Sequence, residues 1–136
     1  MKAPGSLLNA LIVSAAALAI PSSSPLSQDH LSGRWGGQVI QTGAGDYSIV
    51  MTLVGSGGDT WYPQLSCGGR LARIGASGDY VVYTETITTG RYDPSIGKGC
   101  LDGVISVGLA GPDLGWGWFG TFRGQVVTAY ARLTRQ

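Results

Sequence analysis

The sequence predicts an all-β fold: about eight short antiparallel strands in an up-and-down meander, closed or nearly closed into a small barrel. Three observations lead there. Glycine-rich turn signals recur at strand-length intervals, and 23 of the 136 residues are glycine. The segments between them alternate and are rich in Val, Ile, Thr and Tyr, whereas helix-forming runs of Leu, Glu, Lys and Ala are scarce. A lone open sheet would also leave exposed edges, which closure removes.

The first strand is expected from Arg34 to Thr42, ended by Gly43-Ala44-Gly45. In the second, Asp46 to Val54, the residues Tyr47, Ile49, Met51 and Leu53 share one face. Gly55-Ser56-Gly57-Gly58 reads as a hairpin turn. A third strand follows from Asp59 to about Leu65, with Pro63 marking an edge or a bulge. The fourth runs from Cys67 to Ile74 and turns at Gly75-Ala76-Ser77-Gly78. Asp79 to Thr88 carries the strongest strand pattern of the chain. A longer loop, Thr89 to Leu101, precedes a sixth strand from Asp102 to Leu109. The seventh and eighth are Asp113 to Phe119 and Gln125 to Thr134.

Ahead of the barrel, residues 1–19 read as a cleavable signal peptide. Lys2 supplies the positive start, Leu7 to Ile20 the apolar run, and Ala17-Leu18-Ala19 the small-x-small cleavage pattern. The run falls short of the roughly 20 apolar residues of a membrane helix. After cleavage no integral membrane segment is expected. Residues 20–32 form a Ser/Pro-rich leader without periodicity, read as flexible, and residues 33–136 form the single domain. Export places that domain in the periplasm or outside the cell.

Nine Lys/Arg face eight Asp/Glu. So balanced and sparse a charge lacks the basic footprint that nucleic acid demands. In an oxidising compartment the two cysteines are expected to pair, Cys67 with Cys100. In a meander the fifth strand returns to the end where the fourth began, which sets the 89–101 loop beside Cys67. Closing so long a loop constrains the unfolded chain by about 3–4 kcal/mol in the chain-entropy model.

The domain opens with Gly33-Arg34-Trp35 and closes with Arg132-Leu133-Thr134-Arg135. This G-x-W start with a C-terminal arginine resembles the calycin group of small barrels: lipocalins, avidin-like proteins and bacterial metalloprotease inhibitors. In size and in its single disulfide the domain sits nearest the inhibitors. The resemblance implies that Trp35 packs at the closed end of the barrel under Arg132 or Arg135. A second set of residues is similar to uncharacterised exported bacterial β-domains. It comprises Tyr62-Pro63, Cys67-Gly68-Gly69-x-Leu71, Tyr83-x-Glu85-x-Ile87-x-x-Gly90, Cys100-x-Asp102-Gly103 and Trp116-x-Trp118. It implies no activity.

Glu85 is the most informative polar residue. It shares a strand face with Val81, Tyr83 and Ile87, so it points inward with them, and a buried carboxylate needs a partner or a proton. Arg73 or Arg91 could pair with it. It then reads as a ligand anchor, a general acid or a structural ion pair, or it faces solvent after a bulge. Trp116 and Trp118 share one face of the seventh strand, and Trp61, Tyr62 and Tyr92 add aromatic surface. These rings, with Tyr83, either line a pocket or fill the core.

Standard catalytic constellations find no support. The only histidine, His30, sits in the leader, Glu85 is the sole glutamate, and no metal-ligand cluster or phosphate loop is present. No cofactor is implied. The expectation is a non-catalytic exported binding module, with a small ligand or a secreted protein as partner. The alternative is an inhibitor of a secreted protease that acts through the N-terminal leader.

Overall fold

A computed structural model of the chain describes residues 30–136. The signal peptide expected over 1–19 and the leader expected to follow it lie, up to residue 29, outside the described residues. Eight antiparallel strands follow one another: β1 (Gly33–Gln41), β2 (Tyr47–Val54), β3 (Gly57–Tyr62), β4 (Cys67–Ser77), β5 (Tyr80–Thr89), β6 (Gly103–Ala110), β7 (Asp113–Phe122) and β8 (Gln125–Arg135). Each pairs with the next, and β8 pairs with β1 to close the barrel. The all-β meander read from the sequence is the fold.

Period-two alternation builds the wall. Tyr47, Ile49, Met51 and Leu53 of β2 are buried, as are Val81, Tyr83, Glu85 and Ile87 of β5, while their neighbours face outward or lie half-buried. Trp116 and Trp118 of β7 point inward as well. The core thus runs the length of the barrel, from Trp35, Leu53 and Leu133 at one end to Tyr47, Tyr62 and Trp118 at the other.

Several boundaries differ from expectation. β3 ends at Tyr62, and Pro63–Leu65 forms a single 3-10 turn, so Pro63 closes the strand rather than bulging it. Glycines 57 and 58 belong to β3, which leaves Gly55-Ser56 as a two-residue turn. β4 continues to Ser77 because an irregularity between Arg73 and Gly75 absorbs one residue and leaves Ile74 exposed.

One end of the barrel is sealed. Trp35 is fully buried and donates its indole N–H to the Leu31 carbonyl at 2.9 Å. Arg135, its cross-strand partner on β8, lies over the ring with the guanidinium carbon 4.2 Å from the centroid. The same guanidinium donates to the carbonyls of His30 and Ser32. Arg132 does not take part: it pairs with Asp113 at 2.6 Å on the outer wall. Leu31 is only 4% exposed and belongs to the core, so residues 30–32 are packed against the barrel instead of extending the leader.

The opposite end carries the connections β1–β2, β3–β4, β5–β6 and β7–β8. Here Cys67, at the start of β4, is disulfide-bonded to Cys100 in the β5–β6 loop. Such a bond is compatible with an oxidising location, extracellular or periplasmic. Gly90 lets the chain leave β5 beside it. Its φ of +70° suits glycine, and a side chain there would collide with Ser66 and Cys67. The loop is itself folded, with Cys100 N–H donating to Gly90 and Tyr92 N–H to Cys100, both at 2.9 Å. Tyr92 then packs edge-on against Phe122 of β7, with centroids 5.1 Å apart. No helix among the described residues is long and apolar enough to cross a membrane.

Candidate functional site

The interior is not filled at the open end. A cavity of about 170 Å³ lies beneath the disulfide loop, against the roughly 10–15 Å³ that one water requires. Its walls include Tyr47, Tyr62, Trp116 and Trp118 from the strands and Cys100 and Leu101 from the loop. Glu85 supplies the charged group among them.

Glu85 is 2% exposed, and three neutral groups hold its carboxylate. Oε2 accepts from the Thr60 hydroxyl at 2.5 Å and from the Tyr62 hydroxyl at 2.8 Å, while Oε1 accepts from the Trp118 indole N–H at 3.1 Å. Thr60 is placed in turn by the Gly69 N–H, which donates to its oxygen at 3.2 Å. Neither arginine expected to pair with Glu85 does so. Arg91 is bonded to Asp102 at 2.6 Å. Arg73 stands opposite Tyr83, one inward pair nearer the sealed end, and Leu71 is the residue opposite Glu85. Burial raises the Glu85 pKa above its ordinary value, although the three donors pull the other way.

The phenols respond to the same surroundings. Burial, with the Glu85 charge adding to it, pushes Tyr47 up to about 12 and Tyr62 well above its ordinary value. Both are therefore neutral hydroxyls at physiological pH. Tyr47 donates to Gln41 Oε1 at 2.5 Å, and the Tyr47 and Tyr62 rings meet edge-on at 5.9 Å. The Trp116 indole N–H is buried and has no hydrogen-bond partner, a cost of about 1–3 kcal/mol for as long as nothing accepts from it.

Glycines make room for Trp118. A side chain on Gly103 of β6 would fall on the indole, and a Cβ on Gly120 would sit 2.7 Å from its Cη2. The ring is thus fitted against bare backbone on two sides, with its N–H aimed at Glu85.

Of the residues singled out in the sequence, the cavity gathers Glu85, Tyr62, Trp116 and Trp118. Trp61 is 42% exposed on the outer wall, since it neighbours the inward Tyr62 and strand residues alternate. Tyr92 packs on Phe122 in the loop. Tyr83 is buried in the core and does not line the cavity. Sequence reasoning passed over Tyr47 and Thr60 as site residues. Tyr47 was legible as an inward residue at the start of its strand, but Thr60 carried no signal apart from its even spacing from Tyr62. Comparison with protein-family models, curated proteins and solved structures finds no match to this chain.

Proposed function

We propose that this domain is a non-catalytic binding module that takes a small ligand, or the head of a larger one, into the open end of the barrel. The observation that carries the reading is the buried Glu85 carboxylate on the wall of an aromatic cavity, held by three neutral donors. Natural ligand pockets combine apolar and aromatic walls with a few fixed polar groups in this way. A volume of about 170 Å³ is below the ~300–1,000 Å³ of pockets for drug-sized ligands, which favours a small molecule or a head group. Catalysis is disfavoured because Glu85 is the sole glutamate and His30 sits at the sealed end, away from the cavity.

The test is native mass spectrometry of the protein isolated without denaturation from its own exported fraction. Retained mass that is lost on unfolding is expected. A fluorescence screen then follows Trp116 and Trp118. A bare protein whose emission responds to no compound would end this reading.

The signal peptide over 1–19 and export remain part of the proposal, as does kinship with the calycin group, which the stacking of Arg135 on Trp35 favours. That same stacking keeps the inhibitor as a second reading, with the leader ahead of the packed residues 30–32 entering a secreted protease. Removal of residues 1–29 would then abolish inhibition with the barrel intact.

A further inference from the structure

Building on the cavity as a ligand site, we propose that its ligand is a protonated primary amine whose ammonium group sits against Glu85. The count of donors and acceptors carries the inference. Thr60, Tyr62 and Trp118 spend their donors on Glu85, and Tyr47 spends its hydroxyl proton on Gln41. What these groups leave open is acceptor capacity: the second lone pair of Glu85 Oε1 and the oxygens of Tyr47 and Tyr62. The group that meets Glu85 must therefore bring donors, while the unpartnered Trp116 indole N–H is the donor left for another part of the ligand. An ammonium brings three, together with the charge that the carboxylate lacks.

The remaining features agree. Both salt bridges among the described residues lie elsewhere, at Arg91–Asp102 and Arg132–Asp113, so no ion pair there neutralises Glu85. Four aromatic rings line the same space, and ring faces attract cations, more so where water is displaced. A carboxylate ligand would meet Glu85 with like charge. A quaternary ammonium would satisfy the rings but offer no N–H to the open oxygens.

Four probes of similar size separate these cases: butylammonium, tetramethylammonium, 1-butanol and butyrate. Each is titrated into the exported protein at pH 8 by calorimetry and tryptophan fluorescence. Butylammonium is expected to bind at least about tenfold more tightly than butanol, a difference well within the range one charged pair produces. Glu85→Gln should abolish that preference with an unchanged circular dichroism spectrum. Should that variant fold poorly, the wild type supplies a second measurement. Butylammonium affinity must fall as acid protonates Glu85, while butanol affinity stays level. Equal or tighter binding of butanol, butyrate or tetramethylammonium would overturn the primary amine and leave the cavity reading standing. If none of the four binds, the amine falls; the cavity reading falls with it only if the source-isolated protein is also bare.

Discussion

Arg135 covers Trp35 at the sealed end, with its guanidinium carbon 4.2 Å from the ring centroid and its nitrogens bonded to the carbonyls of His30 and Ser32. One side chain therefore joins the last strand, the first strand and the segment that enters it. Arg135→Ala removes the stacking and leaves two carbonyls to water. An exposed cation–π contact and solvent-accessible hydrogen bonds together predict a loss of about 1–2 kcal/mol. Urea denaturation checks it, and Arg135→Lys should recover only part, because an ammonium cannot both stack as a plane and reach two carbonyls. Arg132→Ala, which breaks an exposed pair with Asp113, should cost less.

Glu85 gives the fold a pH dependence whose sign is fixed by the direction of its shift. The folded pKa lies above the ordinary 4.5. Between those values the folded protein holds a proton that the unfolded chain has released, so stability falls as pH rises through the window. The contribution is complete below 4.5 and lost above the raised value. Glu85→Gln should flatten this slope, measured by urea denaturation from pH 4.5 to 8. A slope that survives in Glu85→Gln would assign it to other groups. Asp93 works in a separate window: its pKa is lowered from 3.8 by its bonds to Ser95, so its contribution disappears only as pH falls further.

Trp118 depends on the absence of two side chains. Gly103→Ala places a methyl group against the indole near Nε1, and Gly120→Ala does so at the far edge. Neither glycine has a positive φ, so packing decides the outcome. Overpacking of this kind costs about 1–3 kcal/mol. The Gly103 variant should also weaken the Trp118–Glu85 bond. It is therefore expected to shift tryptophan emission and near-ultraviolet dichroism, with the far-ultraviolet spectrum preserved.

The inward sets of β2 and β5 were legible because alternation is a local property, and closure followed from strand count and the need to remove edges. The disulfide was legible because meander topology sets the β5–β6 loop beside Cys67. What sequence could not supply was cross-strand register. A shift of one inward pair decides that Leu71, not Arg73, faces Glu85, and that the carboxylate relies on Thr60, Tyr62 and Trp118. Trp61 and Tyr62 show the same limit on a smaller scale. Adjacent aromatic residues cannot both face inward from a regular strand, and only the fold shows that Tyr62 does.

The Cys67–Cys100 bond holds one wall of the cavity, since Gly99, Cys100 and Leu101 all border it. Its removal, as the Cys67→Ser/Cys100→Ser pair, should destabilise the domain by up to about 3–4 kcal/mol through the freed unfolded chain. The loss should not be spread evenly. Hydrogen exchange is expected to rise first at the amides of Tyr92 and Cys100, which hold the loop, with the barrel strands protected. Exchange that rises uniformly would mean that the bond supports the whole barrel and not this wall.

Truncation locates where the folded unit starts. Removing residues 1–29 retains His30, whose carbonyl accepts from Arg135, and retains Leu31 with its buried side chain and its carbonyl on Trp35. Stability should be unchanged. Removing residues 1–32 takes all three acceptors, exposes the edge of Trp35 and deletes an apolar side chain from the core. Burial of one leucine is worth about 1.5–3 kcal/mol, and the lost acceptors add to it. A sharp drop in Tm between the two truncations is therefore expected. Equal stability would mean that residues 30–32 are carried by the barrel without supporting it, and that Arg135 stabilises through Trp35 alone.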